Sequence, residues 1–448
     1  MAGFIKSEKR LLHKTIKTVC TEIGKKHHWF MEFYRSALYT YGNIKYKRYY
    51  KKYPVDDKTI LFQVFWGKKY CCSPKAIYEK MLSDERFSDY TFVWVFKKPK
   101  QFAYLENNKN TVVVRWGSKK AMEYYSRAKF WIANTRVKEE YDKKPEQIYI
   151  QCWHGTPLKK LGYDIEVKGN NATNTNEDIC KKYSQDAERY TYMISPSDFS
   201  SEKFASAFGL PNPKILQTIG YPRNDFLINY TDEDVEAIYT KLSIDCMTKT
   251  GEYKDIGKLK NHFGIDRDKK VILYAPTWRE DQHVSGQGYT YDLNIDFSRL
   301  QKEFSNEYII LFRAHYFISN MIDLSEYRGF VYDVSNYDDI NELYVISDIL
   351  ITDYSSVFFD YSNLHRPMLF YMYDYEKYKN EMHDFYFDLS ELPGPIVQTE
   401  DALVEEIKTI DIYWDKYAEP YKAFNDKFTY LDDGKATERL IDNCIINN

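Results

Sequence analysis

Residues 147–160, QIYIQCWHGTPLKK, run from a short apolar segment into a histidine, a glycine and a proline. The apolar part, IYIQCW, has the length of a buried strand, and His154 stands at its end. Gly155 allows the backbone to approach a ligand closely or to take a positive φ. Pro157 stiffens the return of the chain by fixing its own φ. A strand that delivers an imidazole at its carboxyl end fits an open α/β sheet, in which ligands bind off those ends. A histidine that titrates near neutrality suits general-base work on a hydroxyl. A structural histidine in a tight turn is the plainer reading of the same residues.

The pattern repeats on both sides of this stretch. Upstream, TILFQVFWG (59–67), YTFVWVFKK (90–98), NTVVVRWGS (110–118) and KFWIANT read as strands, with PKAIYEKMLSD and KKAMEYYSRA as intervening helices. MISPSDFSSEKFASAFG continues the series as strand, turn, helix and terminal glycine. In the second half, KKVILYAPTW (269–278), YIILFRAHY (308–316), FVYDV, DILITDYSS (348–356) and MLFYM (368–372) are strands. Strands alternating with helices predict parallel sheets covered on both faces. A chain of 448 residues exceeds one ordinary core, so two such sheets facing a cleft are expected. The boundaries follow from the pattern: a basic segment at 1–54, a first α/β domain at 55–225 and a second at 226–411. An acidic helical connection covers 223–268, and a helical tail at 412–448 packs back on the first domain.

Charge is unevenly spread. Residues 1–54 carry 13 Lys+Arg against 3 Glu, and the remainder carries 50 against 63. The basic segment interleaves its cations with Trp29, Phe30, Phe33, Tyr34, Tyr39, Tyr41, Tyr46, Tyr49 and Tyr50. Rings and cations together suit an anionic membrane surface. The composition also fits nucleic acid or a helical hairpin packed on the body; the membrane surface is the reading adopted, with no nucleic-acid partner. No run approaches the roughly 18 apolar residues of a membrane span, and no secretory signal is visible, so a cytoplasmic location is expected. The seven cysteines are odd in number and lack CxxC spacing, which predicts reduced thiols. No cluster has metal-ligand spacing, so no metal and no cofactor are expected. GEYKDIGKL (251–259) has the wrong glycine spacing for a phosphate loop, SGQGYTY lacks a third glycine, and Asp266 with Asp268 reads as a solvated turn.

Several strand ends carry residues suited to an anion. FRAHY places Arg313 and His315 on one side of a strand. In TDYSSVFFDYS, Ser355 and Ser356 precede a helix start, where free N–H groups favour phosphate. Asp360 lies about one turn on, able to accept from ribose or polyol hydroxyls or to be a surface acid. GYPRND places Arg223, a bidentate phosphate ligand by type, in a turn. APTWRE places Pro276 and Thr277 just after a strand. Together these suit transfer of a phosphorylated group from a nucleotide donor.

QCWHGTPLKKLGYDI, GYPRND, LYAPTWRED, FRAH and DILITDYSSVFFDY, with KAIYEKM and FWIANTR upstream, resemble the CDP-glycerol glycerophosphotransferase family over residues 59–410. The resemblance implies a GT-B architecture of two Rossmann-like domains around a central cleft. It also implies peripheral attachment to the cytoplasmic face of the membrane. The implied reaction moves glycerol phosphate from CDP-glycerol to a hydroxyl of a lipid-linked acceptor, releasing CMP, in teichoic acid or related polymer synthesis. By resemblance His154 and His315 are catalytic. The donor site takes in His154, Gly155, Thr156, Pro157, Leu158, Arg223, Pro276, Thr277, Arg313, Ala314, His315, Ser355, Ser356 and Asp360. CDP-ribitol as donor, and a nucleotide-sugar glycosyltransferase of the same architecture, stay open as alternatives, as does a homo-oligomeric assembly. Cys152, Trp66 and the pair Cys71 and Cys72 depart from the family pattern without touching this chemistry.

Overall fold

The computed structural model describes residues 20, 23, 27–165, 176–249, 266–277, 283–284, 288–289, 294–314, 323–378 and 385–447. Its first sheet has seven strands: β1 (Asp56–Gln63), β2 (Thr91–Phe96), β3 (Thr111–Arg115), β4 (Ala128–Ala133), β5 (Ile148–Gln151), β6 (Tyr192–Ser195) and β7 (Leu216–Thr218). They lie in the order β3-β2-β1-β4-β5-β6-β7, and every pairing is parallel. After β8 (Lys270–Ala275) comes a two-stranded hairpin, β9 (His283–Val284) and β10 (Gly288–Tyr289). The second sheet uses β8, β11 (Tyr308–Phe312), β12 (Val331–Asp333), β13 (Ile349–Thr352), β14 (Met368–Tyr371) and β15 (Ile396–Val397) in the order β12-β11-β8-β13-β14-β15, again all parallel. Both are doubly wound sheets, each reversing its winding beside its first strand, and together they form the expected GT-B pair of Rossmann-like lobes.

Alternation explains how thin strands fill two cores. Ile60 and Phe62 enter the core on one face of the first sheet, with Trp94 and Ile132. Leu61 enters the core on the other face, with Val93 and Trp131. Successive side chains point to opposite faces, so a strand covered on both sides is apolar at every position. That is why these segments read as continuous apolar runs. The sequence-predicted strands are all present but end earlier than expected. β1 stops at Gln63, and Phe65 and Trp66 turn away with φ of 44° and 55°.

The tail links the lobes. Tyr421, Phe424 and Phe428, from the helix Tyr413–Phe428, belong to the core of the second lobe. Leu440, Ile441, Cys444 and Ile445 then join the core of the first. The crossing passes close to Gly220, which has φ of 87° and where a Cβ would lie 2.4 Å from the Leu431 carbonyl oxygen. At the other end, the helix His28–Lys52 rests on the first lobe. Tyr46 is buried and stacks on Tyr141 at 4.7 Å, and Asn43 donates to the Glu140 carbonyl. Its opposite face keeps Trp29, Phe33, Tyr41 and Ile44 exposed. At one hundred degrees per residue these four fall within about one third of a turn of the helix surface. The basic segment is therefore, within its described part, both a helix packed on the body and an aromatic stripe. Among the described residues no helix is long and apolar enough to cross a membrane.

The tail's return makes a stability prediction. Leu440 is fully buried in the first-lobe core, so Leu440→Ala should lower unfolding free energy by about 2–5 kcal/mol in denaturant titration.

Candidate active site

The two sheets bring their carboxyl edges to a shared cavity of about 530 Å³. From the first lobe it is lined by residues 153–159 and Leu161. From the second it is lined by Ala275, Pro276, Thr277, Arg313, Ala314, Ile340 and residues 354–357. Pro276 and Thr277 follow β8, and Ser355 and Ser356 follow β13. These two strands flank the reversal of the second sheet, the position where such folds bind ligands. Among the described residues none of those lining the cavity is acidic, which suits an anionic occupant.

His154 is held from its own lobe. Its Nδ1 lies 2.8 Å from the carbonyl oxygen of Asn134, the residue after β4. A carbonyl can only accept, so Nδ1 carries the proton, and the neutral ring has its lone pair on Nε2. The rings of Trp153 and Phe65 lie 4.3 and 5.6 Å from the imidazole. His154 is open to the cleft but deep between the lobes. Desolvation lowers its pKa to about 4, against the Asn134 hydrogen bond and with help from the Arg223 and Arg136 charges. At neutral pH the ring is therefore a free base. Phe65 and Trp153 (φ 47°) both hold positive φ, and Asn134 Oδ1 accepts from the Phe65 amide at 2.9 Å. The base is thus gripped by three strand ends: β1, β4 and β5.

Gly155 is required by the other lobe. A Cβ there would lie 2.7 Å from Ser356 Oγ, so the two walls of the cavity approach each other directly at this point. Ser356 occupies the N-cap of the helix Val357–Tyr361 without a side-chain capping bond. That helix is only five residues long, shorter than the anion-binding helix start expected from the sequence. Asp353, buried at the end of β13, accepts from the amides of Thr277 and Tyr354 at 2.8 and 2.6 Å. One carboxylate thereby aligns both strand ends at the reversal. Arg313 reaches the cavity with its backbone amide bonded to Tyr274, while Nη1 donates to the carbonyls of Val334 and Tyr337 at 3.1 and 3.0 Å. Burial lowers its pKa, yet a guanidinium stays charged. Its charge reaches the cavity with part of its hydrogen bonding already assigned. His315 lies outside the described residues.

Two expected site residues are placed elsewhere. Arg223 and Asp360 do not line this cavity. They form a buried bidentate ion pair, Nε to Oδ2 at 3.1 Å and Nη2 to Oδ1 at 2.8 Å, with only 5% and 7% of their surfaces exposed. Burial opposes the guanidinium charge, and the Asp360 carboxylate outweighs it, so the Arg223 pKa rises. Asp360 is thus occupied by a protein cation rather than offered to a polyol, because a desolvated carboxylate takes the nearest full charge. Residues that the sequence did not single out include Asn134, Phe65, Tyr354 and Lys159. Only Asn134 had a usable signal, as the first polar residue after FWIA. Among the described residues no group of three or more His, Cys, Asp or Glu could hold a metal.

The pair yields a prediction that replaces a binding role for Asp360. Asp360→Ala leaves a guanidinium buried without its partner, and unfolding free energy should fall by about 3–5 kcal/mol. Asp360→Asn, which keeps the acceptor oxygen, should lose less in the same denaturant titration.

Comparison with known proteins bears on what this cavity does. The model of the family described as CDP-Glycerol:Poly(glycerophosphate) glycerophosphotransferase matches residues 45–250 and 244–446. A teichoic acid poly(glycerol phosphate) polymerase of Staphylococcus epidermidis is 41% identical over 394 residues, covering 87% of this chain and 50% of that protein. One from Bacillus subtilis is 38% identical over 442 residues, covering 98% of this chain and 54% of that protein. The chain thus spans about half the length of these curated relatives. A solved structure of the wall teichoic acid polymerase TagF, a histidine-to-asparagine variant with CDPG, superposes with a TM-score of 0.78 at 37% identity, covering 93% of this chain and 97% of that one.

Proposed function

Since the chain belongs to the CDP-glycerol:poly(glycerophosphate) glycerophosphotransferase family, we propose that its cleft transfers glycerol phosphate from CDP-glycerol to the terminal hydroxyl of a lipid-linked acceptor or growing poly(glycerol phosphate) chain. The observation that carries this reading is the His154 ring: neutral, with Nδ1 bound to the Asn134 carbonyl, on the wall of a cavity with no acidic lining among the described residues. The acceptor oxygen attacks the phosphorus that bears glycerol, and the bond from that phosphorus to the CMP oxygen breaks. The acceptor proton passes to Nε2 of His154, and CMP leaves with the electron pair. Arg313, the backbone around Pro276 and Thr277, and the hydroxyls of Ser355 and Ser356 surround the diphosphate and oppose its charge. In this reading the β8–β15 lobe holds the donor, and the β1–β7 lobe supplies the base and receives the acceptor. Arg223 and Asp360 support the site from behind it. The sequence-based assignment of His315 as a second catalytic group is retained as part of the proposal.

The helix His28–Lys52 supports attachment to the membrane that carries the acceptor. Trp29, Phe33, Tyr41 and Ile44 project from the body, and Lys51 and Lys52 stand in its last turn. Aromatic rings settle at the headgroup level while nearby cations meet anionic lipid.

His154→Ala should reduce turnover about 10²–10⁴-fold while CDP-glycerol binding persists in calorimetry; near-normal turnover would reject the base assignment. A lowered histidine pKa moves the loss of active base to acid. The pH profile of kcat/KM should stay level from neutrality through 6.5 and fall only towards about 4. An acid limb at the ordinary histidine position would contradict it. Replacing Trp29, Phe33, Tyr41 and Ile44 together by serine should release the protein from phosphatidylglycerol vesicles in a flotation assay, with transfer to a soluble acceptor retained.

A further inference from the structure

The lobes meet again beside cavity-lining residues 158–161, through a segment that none of the motifs above includes. Phe385 pairs with Lys159 in an isolated antiparallel bridge, and the Tyr386 amide donates to the Leu158 carbonyl at 2.9 Å. The Tyr386 hydroxyl accepts from the Leu161 amide at 3.1 Å and donates to Asp164 Oδ2 at 2.6 Å. Ser206 Oγ donates to the same carboxylate oxygen at 2.6 Å. Leu158, Lys159 and Leu161 all line the cavity. On its other side Phe385 stacks on Tyr354 and Tyr378, with ring centroids at 5.9 and 6.2 Å. Tyr354 and Tyr378 themselves lie 3.7 Å apart. Tyr354 belongs to the facing wall, next to Ser355. Residues 385–386 therefore touch both walls of the cavity at once.

Resting on the transfer reading, we propose that Tyr386 is a positioning residue: its hydroxyl, supplied by the second lobe, fixes the 158–164 loop of the first and sets the spacing of the two walls. The loop has no helix or strand until the short turn Gly162–Asp164, so the Leu161 amide finds its hydrogen bond in a side chain. A phenol suits this place because it gives one proton and accepts another. Phenylalanine does neither, leaving the Leu161 amide without a partner and Asp164 without one of its donors. The walls also meet through Gly155 and Ser356. Beside residues 158–161 their separation depends on this clasp. His154 is held independently by Asn134, so the clasp governs the distance between donor and acceptor walls and leaves the base in place. In-line transfer is sensitive to that distance, since a misplacement of about 1 Å can cost 10²-fold in rate.

The test uses Tyr386→Phe in the full chain. Transfer from CDP-glycerol should slow by about 10–100-fold in kcat, with the acid limb of kcat/KM unmoved and with faster amide hydrogen exchange across residues 158–164. Asp164→Ala should reproduce both changes. A Tyr386→Phe protein with wild-type kcat and wild-type exchange, or one altered only in thermal midpoint, overturns the inference. If the unaltered chain fails to turn over CDP-glycerol, the transfer reading falls separately. The exchange readout then still decides the clasp, with faster exchange supporting it and unchanged exchange refuting it.

Discussion

The arrangement depends on the buried pair of Arg223 and Asp360. Arg223 follows the last strand of the first lobe, and Asp360 sits on the helix after β13 in the second. Their bidentate contact is extended by Asn224, which donates to both Asp360 and Asp432 at 2.9 and 2.7 Å. Asp432 belongs to the returning tail and also accepts from the Tyr221 amide. Two lobes and the tail thus share one polar knot. Burial pushes the Asp432 carboxyl up to about 7, although the Tyr221 and Asn224 donors and the Arg223 charge pull the other way. A buried ion pair contributes little net stability compared with an apolar replacement. Its value here is directional: only one mutual placement of the lobes satisfies the guanidinium fork.

That placement is what makes the cavity. With the lobes docked, Gly155 meets Ser356, and the ends of β5, β8, β11 and β13 face one space. Beside the knot, around a pocket that Arg223 also lines, Lys75 of the first lobe binds Asp339 and Glu342 of the second at 2.8 and 3.0 Å. Lys69 reaches Asp338 and the carbonyl of Asn336. These pairs add charged contacts between the two lobes.

The base itself illustrates how tertiary contacts select a chemical state. An isolated histidine would be partly charged near its ordinary pKa of about 6.5. Here a backbone carbonyl from a neighbouring strand end selects the tautomer, and desolvation deep between the lobes disfavours the charged ring. The positive φ values at Phe65 and Trp153 are carried by bulky residues, which rarely adopt them. Such positions persist where surrounding structure over-determines them, and they gather at functional sites.

Much of the fold was legible in the chain because buried parallel strands are apolar at every position and end in polar or glycine residues. IYIQCWHG, VILYAPT and ILITDYSS each announce a strand and the residue it presents. Two sheets facing a cleft followed from two such series, the GT-B architecture from the family resemblance, and His154, Pro276, Thr277, Arg313, Ser355 and Ser356 were placed at strand ends. What the chain could not specify was partnership across long separations. Arg223 and Asp360 are both plausible ligands for a phosphate or a polyol when read locally. Only the docked lobes show that they are ligands for each other. Likewise Asn134 stands out only as the first polar residue after FWIA, which does not show that it fixes the imidazole, and nothing around Tyr386 signals that it bonds the facing loop. Strand position is a short-range property written in hydrophobic pattern. Hydrogen-bond assignment in a cleft is decided by which desolvated groups the packing of distant segments brings within 3 Å.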